Sequence, residues 1–192
     1  MINMRFSVPL FLLGLALCIL WGGCSRKEPA STAAVPAKAP LADPSAGFFS
    51  TLKPLLVVSA AEGFAPFSAS GDPVKFTGIY YSAHWCPPCR AFTPKLVEWY
   101  KDFKAKHPNF ELVFASSDKD EAAMMDYMKE TGMPWPAVKF GEKKAAGLDK
   151  FAADGIPYLV LIDENGKDLT GKEGNDWQPP TEVLKKIEEL VK

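Results

Sequence analysis

Two cysteines separated by two prolines, in Trp85-Cys86-Pro87-Pro88-Cys89, make the strongest case for chemistry in this chain. Residues three apart on a helix are neighbours on one face, so the Cys89 sulfur can reach the Cys86 sulfur. Four cysteines occur, at positions 18, 24, 86 and 89, alongside two histidines, His84 and His107. A structural zinc site calls for two further Cys or His ligands at knuckle spacing, and no second Cys-x-x-Cys exists. A bridge across two residues closes too small a loop to restrain much unfolded-chain entropy. Thiol–disulfide exchange is what remains, and it needs neither a metal nor a cofactor.

The neighbours of the pair sharpen that reading. Proline is tolerated in a first helical turn, where N–H groups lack intrahelical partners, so Pro87 and Pro88 fit a helix opening at Cys86. They also stiffen the turn. A thiolate at the positive end of a helix is stabilised, which lowers its pKa and makes it a better leaving group. Cys89, a turn inward beside Phe92, is expected to be less exposed and to keep the higher pKa. Trp85 reads as an apolar wall over one side of the site, or else as a plain core aromatic. His84 adds positive potential near Cys86, or is a bystander. Arg90 reads as a solvent-facing helix residue with some influence on potential or partner choice.

The elements that must hold these residues follow from hydrophobic patterning. Val74–Ala83 is rich in β-branched and aromatic residues, the composition of a buried strand. Phe92, Leu96, Trp99 or Tyr100, and Phe103 recur at helical spacing, with Pro94 inside that face expected to kink the helix before it fades near Lys106–Pro108. Phe110–Ala115 reads as a second core strand. Asp118–Glu121 resembles a capped helix start, Met124, Tyr127 and Met128 form its stripe, and Gly132 stops it. Leu148–Ala153 suits a short helix and Tyr158–Asp163 an apolar strand. Asn165-Gly166 favours a hairpin turn, and a last helix starts at Thr181 with Val183 or Leu184, Ile187 and Leu190 on one side. The order β-α-β-α-β-β-α, with an extra element near Leu52–Ser59, implies an α/β fold: a small mixed sheet, parallel where helices connect strands, with helices on both faces.

The first 46 residues lie outside that pattern. Met1–Arg5 is basic, Phe6–Trp21 is an uncharged run of 16 residues, and Gly22-Gly23-Cys24 follows. This is the layout of a secretory signal, and the run is short of the roughly 20 apolar residues of a transmembrane helix. Leu20-Trp21-Gly22-Gly23-Cys24 resembles a bacterial lipobox, which implies residues 1–23 as a signal peptide and Cys24 as a lipidation site, although Trp21 replaces the usual aliphatic residue. An uncleaved anchor and simple secretion are the alternatives. Residues 24–46, rich in Ala, Pro and Ser, read as an unfolded linker, and 47–192 as the folded domain. The expected address is therefore the cell envelope, periplasm-facing and membrane-anchored, with the outer membrane favoured over the inner. Composition agrees with a globular body: 47% hydrophobic, 23% charged, and a net charge of −1 that removes the electrostatic case for nucleic acid.

The segments YYSAHWCPPCRAFTPKLVEWY and GIPYLVLIDENGK together resemble the thioredoxin superfamily, in its tryparedoxin/nucleoredoxin-like branch, over roughly Phe76–Lys192. The resemblance implies a thioredoxin-like fold and a thiol–disulfide oxidoreductase acting on protein disulfides, a reductase in preference to an oxidant. It implies Cys86 as nucleophile, Cys89 as resolver, and Pro157 as a cis-proline that helps seat the substrate chain. Tyr158, directly after it, can offer backbone groups to that chain. The implied partners are disulfide-containing envelope proteins and a membrane or periplasmic thiol electron donor, with the protein itself a monomer tied to the membrane by its lipid. One position departs from many thioredoxins: Tyr80 stands where they carry a buried acid, which leaves proton handling at Cys89 without an assigned group. Two other readings remain, a thioredoxin-fold binding module without turnover and a thiol peroxidase.

Overall fold

In the computed structural model the described residues are 47–68, 71, 73–171 and 177–192. The expected signal peptide, Cys24 and the linker lie outside them. Ten elements follow in order: α1 (Phe48–Leu52), β1 (Leu56–Ala60), β2 (Gly63–Pro66), β3 (Phe76–Ser82), α2 (Pro87–Lys106), β4 (Phe110–Ser116), α3 (Glu121–Thr131), β5 (Ala137–Val138), β6 (Tyr158–Asp163) and α4 (Pro180–Leu190). Short 3-10 turns occupy Lys53–Leu55 and Asp149–Phe151.

The strands form one sheet in the order β2-β1-β5-β4-β3-β6. Strands β3 and β4 pair in parallel through all seven residues, from Phe76 opposite Phe110 to Ser82 opposite Ser116. Strand β6 lies against the other edge of β3 and is antiparallel to it. This corrects the expectation that a helix between successive strands makes each pair parallel. After α3 the parallel place beside β4 is taken by the two-residue β5, and the segment from 139 to 157 turns the chain round before β6. A strand that short carries no periodic signal. The hairpin expected at Asn165-Gly166 also shrinks to one bridge, Ile162 with Asp168. Asp168 Oδ1 instead accepts the N–H groups of Thr170 and Gly171, a local turn that competes with a ladder. The antiparallel hairpin is made by β1 and β2 at the other edge.

Alternation along the strands sorts the core into two faces. Tyr80, Leu112, Phe114, Leu159 and Leu161 pack with residues of α2, α3 and α4, whereas Ile79, Tyr81, Val113, Val160 and Ile162 pack with Phe49, Leu52 and Leu148. Helix α2 buries Phe92, Leu96, Tyr100 and Phe103 and runs unbroken past Pro94, which sits on its exposed side and not in the apolar face. Helix α3 is capped by Asp120, whose carboxylate accepts the Ala123 N–H at 2.8 Å; Asp118, where the cap was expected, binds Ser116 and the His84 N–H. Gly132 ends α3 in the left-handed conformation, φ 64°, which suits a residue without Cβ. In α4, Val183 and Ile187 are buried as expected, but Leu190 points to solvent and Val191 takes the inner place.

Candidate active site

Strand β3 ends at Ser82 and α2 begins at Pro87, so the connecting turn carries Trp85 and Cys86 to the sheet's C-terminal edge, a common place for ligand sites in α/β folds. Pro87 and Pro88 occupy the first helical positions, as expected, and are exposed. Cys86 is the N-cap of α2, and its sulfur accepts the Cys89 N–H at 3.3 Å. Cys86 and Cys89 are joined as a disulfide, with Cα atoms 5.2 Å apart. Both residues are buried, Cys86 at 3% exposure and Cys89 at 0%. The inward position expected for Cys89 is there, and the outer sulfur is only slightly more open. In the reduced state the same N–H and the helix terminus favour a thiolate on Cys86.

The Ile156–Pro157 peptide bond is cis, and Cys86 Sγ lies 3.8 Å from the Ile156 carbonyl oxygen. The pair therefore faces the loop that the sequence singled out. Tyr158 begins β6 opposite Tyr81 and is buried, its ring 5.9 Å from the Tyr81 ring. Its side chain is packed away from solvent.

Trp85 is 57% exposed and its indole N–H donates to the Ser117 carbonyl at 3.0 Å. The core-aromatic alternative does not hold; the ring stands in water, held at one end. His84 stacks on Tyr127 with ring centroids 5.5 Å apart, and its Nε2 lies 2.9 Å from Glu130 Oε2. Any charge it carries faces that carboxylate. Arg90 is exposed and joins His84, Trp85, Asp118, Lys119 and Asp120 around an open groove of about 360 Å³ beside the pair.

Beneath the pair lies a hydroxyl cluster that the sequence reading did not foresee. Thr93 Oγ1 donates to the Cys89 carbonyl at 2.9 Å and bonds the Tyr80 hydroxyl at 2.8 Å and the Tyr127 hydroxyl. Tyr127 is also bonded to Ser82 Oγ at 3.0 Å. Proton counting fixes the directions. A carbonyl only accepts, so the single Thr93 proton goes to Cys89, and both tyrosines must donate to Thr93. Tyr127 has then used its proton and accepts from Ser82. The chain of donors ends on the carbonyl of the inner cysteine. Burial pushes the Tyr80 phenol far above its ordinary range, so it stays neutral and donating wherever thiols titrate. At the position where the resemblance led one to expect a buried acid, a neutral donor set stands instead. Thr93 gave no signal beyond its place four residues after Cys89, and Tyr127 read only as helix stripe.

Two more residues escaped notice. Lys143 donates to Ser117 Oγ at 3.2 Å, on the residue whose carbonyl holds Trp85, and burial lowers its ammonium below the usual lysine range against attraction from Asp149 and Asp118. Trp177 donates its indole N–H to the Pro157 carbonyl at 2.7 Å. Among the described residues no cluster of His, Cys, Asp or Glu is arranged to hold a metal.

A Thioredoxin-like family model matches residues 73–167. Probable nucleoredoxin 1 of Arabidopsis thaliana is 47% identical over 119 residues, 57% of this chain and 20% of that protein. Human nucleoredoxin is 42% identical over 95 residues, 48% of this chain and 21% of the relative. The match thus spans about a fifth of these curated relatives' length. Among solved structures, tryparedoxin II from C. fasciculata is 32% identical with a TM-score of 0.54, covering 74% of this chain and 92% of that one. Tryparedoxin I from Leishmania major is 28% identical with a TM-score of 0.53, covering 72% and 91%. The fold is the α/β thioredoxin-like one, and the close cysteine pair within it supports thiol–disulfide oxidoreductase chemistry. The cell-envelope address expected from the leader does not hold. The relatives named above are nucleoredoxins of a plant and a vertebrate, not bacterial proteins, and among the described residues no helix is long and apolar enough to cross a membrane.

Proposed function

This chain belongs to the thioredoxin-like family of tryparedoxins and nucleoredoxins, and from that premise we propose that residues 47–192 form a domain that reduces disulfides in other proteins through Cys86 and Cys89. The observation that carries the reading is the placement of Cys86. Its sulfur caps α2, accepts the Cys89 N–H, and lies 3.8 Å from the Ile156 carbonyl before Pro157. Helix terminus, resolving sulfur and substrate-seating loop meet at one atom.

The reaction balances with the groups present and one external dithiol. The reduced Cys86 thiolate attacks one sulfur of the substrate disulfide; a mixed disulfide forms, and the other substrate sulfur leaves as thiolate and takes up a proton. The Cys89 thiol gives up its proton and attacks Cys86 Sγ, which re-forms the Cys86–Cys89 bond and releases the second substrate thiol. Two electrons pass to the substrate. A dithiol donor, protein or small molecule, then reduces the Cys86–Cys89 disulfide by the same exchange in reverse. Trp85, Pro157 and the Tyr158 main chain seat the substrate, and His84, Pro87, Pro88 and Arg90 shape the surroundings of the attacking sulfur.

Reduction of insulin disulfides by the full chain, with dithiothreitol as donor, tests the activity. Turbidity appearing well before the dithiothreitol blank is expected; a lag equal to the blank would refute it. Equilibration against glutathione tests the direction. A potential well below that of a strong protein oxidant, about −120 mV, is expected, and a value near that figure would overturn the reductase assignment.

A further inference from the structure

We propose that Trp177 is a specificity-determining residue of this site: its indole is the contact by which a disulfide carried on a polypeptide is preferred to a small free disulfide. The inference rests on the reading above, that the Cys86–Cys89 pair exchanges protein disulfides.

Three large apolar side chains among the described residues stand well exposed: Trp85 at 57%, Trp177 at 46% and Leu190 at 44%. Leu190 lies at the far end of α4, and a lone surface leucine needs no account. The two tryptophans are different. Each spends its indole N–H on a backbone carbonyl, Trp85 on Ser117 at 3.0 Å and Trp177 on Pro157 at 2.7 Å. With the N–H satisfied, what each ring offers to solvent is apolar surface.

Both anchors belong to the site. Trp85 precedes Cys86 directly. Trp177 is fixed to the loop that Cys86 touches: the Pro157 carbonyl it holds is next in sequence to the Ile156 carbonyl 3.8 Å from Cys86 Sγ. The indole also lies over Gly155, where a Cβ would sit 3.4 Å from its Cδ1. Trp177 therefore spans the loop from Gly155 to Pro157 while keeping nearly half its surface in water.

A ring held in place before the ligand arrives loses little freedom on binding, so its apolar face is available at small entropic cost. An occupant that uses both rings must reach from Trp85, across Cys86 and the Ile156–Pro157 loop, to Trp177. A polypeptide segment carrying side chains on either side of its cysteine has that reach. A small aromatic disulfide attacked at Cys86 has no chain to extend over Gly155. Stabilisation by Trp177 is then realised with the first ligand and not the second, which is a difference of affinities and hence specificity.

The test compares the full chain with Trp177→Ala, Trp177→Leu and Trp177→Phe on two probes. Insulin is the polypeptide disulfide, and 5,5′-dithiobis(2-nitrobenzoate) is the small one, mixed with pre-reduced protein. For Trp177→Ala, KM for insulin is expected to rise about tenfold, the scale of one aromatic contact, with kcat within about twofold and the small-disulfide rate unchanged. Trp177→Leu, which keeps apolar bulk over Gly155, carries the same expectation at roughly half that size if the alanine variant fails to fold. Trp177→Phe keeps a ring and should restore most of the insulin KM. Equal losses on both probes would make Trp177 a mere support of the loop and overturn the inference; so would an unchanged insulin KM. Failure of the wild-type chain on insulin would instead overturn the proposed function.

Discussion

Replacing Thr93 with valine removes the hub of the hydroxyl cluster while keeping its volume. Thr93 is 0% exposed, as are Tyr80 and Tyr127. Its one oxygen serves the Cys89 carbonyl at 2.9 Å, the Tyr80 hydroxyl at 2.8 Å, and Tyr127. Each buried hydrogen bond is worth about 1 kcal/mol net, and a buried group left without a partner costs about 1–3 kcal/mol. Tyr127 can turn its proton to Ser82 Oγ once Thr93 Oγ1 is gone, so the losses concentrate on Tyr80 and the Cys89 carbonyl. Thr93→Val should therefore destabilise the domain by about 2–4 kcal/mol, a fall in Tm of roughly 5–12 °C for a domain of this size. The sharper forecast concerns Tyr80→Phe in two backgrounds. In the wild type it removes a donor to Thr93 and should cost about 1 kcal/mol. In Thr93→Val the Tyr80 hydroxyl has already lost that acceptor, so removing it should cost about zero or become a gain. Urea titrations of the four proteins, all with the disulfide formed, measure the cycle. Equal costs of Tyr80→Phe in both backgrounds, or a Thr93→Val cost below about 0.5 kcal/mol, would refute the hub.

Alkaline stability and one helix cap supply further checks. Burial raises the phenols of Tyr80, Tyr81 and Tyr100 above their ordinary value of 10.0. The folded chain therefore holds these protons to higher pH than the unfolded one, and the stability they lend is complete below pH 10 and lost as pH rises beyond it. The urea midpoint should be flat from about pH 7 to 9 and fall beyond about 10, less steeply in Tyr80→Phe; a midpoint constant through pH 12 would contradict this. Asp120→Ala should cost about 1 kcal/mol because its carboxylate caps α3. An unchanged urea midpoint in that variant would return the cap to Asp118.

The central strand–helix–strand unit was legible because its signals are local. Phe76–Ser82 and Phe110–Ser116 are short runs dominated by aromatic and aliphatic residues, α2 carries an apolar stripe behind two N-terminal prolines, and Gly132 marks a stop that needs a left-handed residue. The site's sulfurs were legible for the same reason, since Cys86 and Cys89 share one turn. What escaped depends on partners distant in sequence. Strand β5 is two residues long and exists because β4 and β1 flank it. Thr93 meets Tyr127 across 34 positions and Trp177 meets Pro157 across 20; neither spacing has a periodic signature. The N-cap of α3 shifted from Asp118 to Asp120 because Asp118 is engaged by Ser116 and the His84 N–H.

Mass spectrometry of intact mixed disulfides bears most directly on the assignment of Cys86 as the attacking sulfur. Pre-reduced Cys89→Ser and Cys86→Ser chains are each incubated with insulin, quenched with acid and weighed with and without dithiothreitol. Cys86 lies at the helix cap and faces the Ile156–Pro157 loop, whereas Cys89 is fully buried beneath it. The Cys89→Ser chain should accumulate an insulin-chain adduct that dithiothreitol removes, and the Cys86→Ser chain far less of it. Equal or greater trapping through Cys89 would show that the wrong sulfur has been given the attack, and no adduct on either chain would show that this pair does not exchange with protein disulfides.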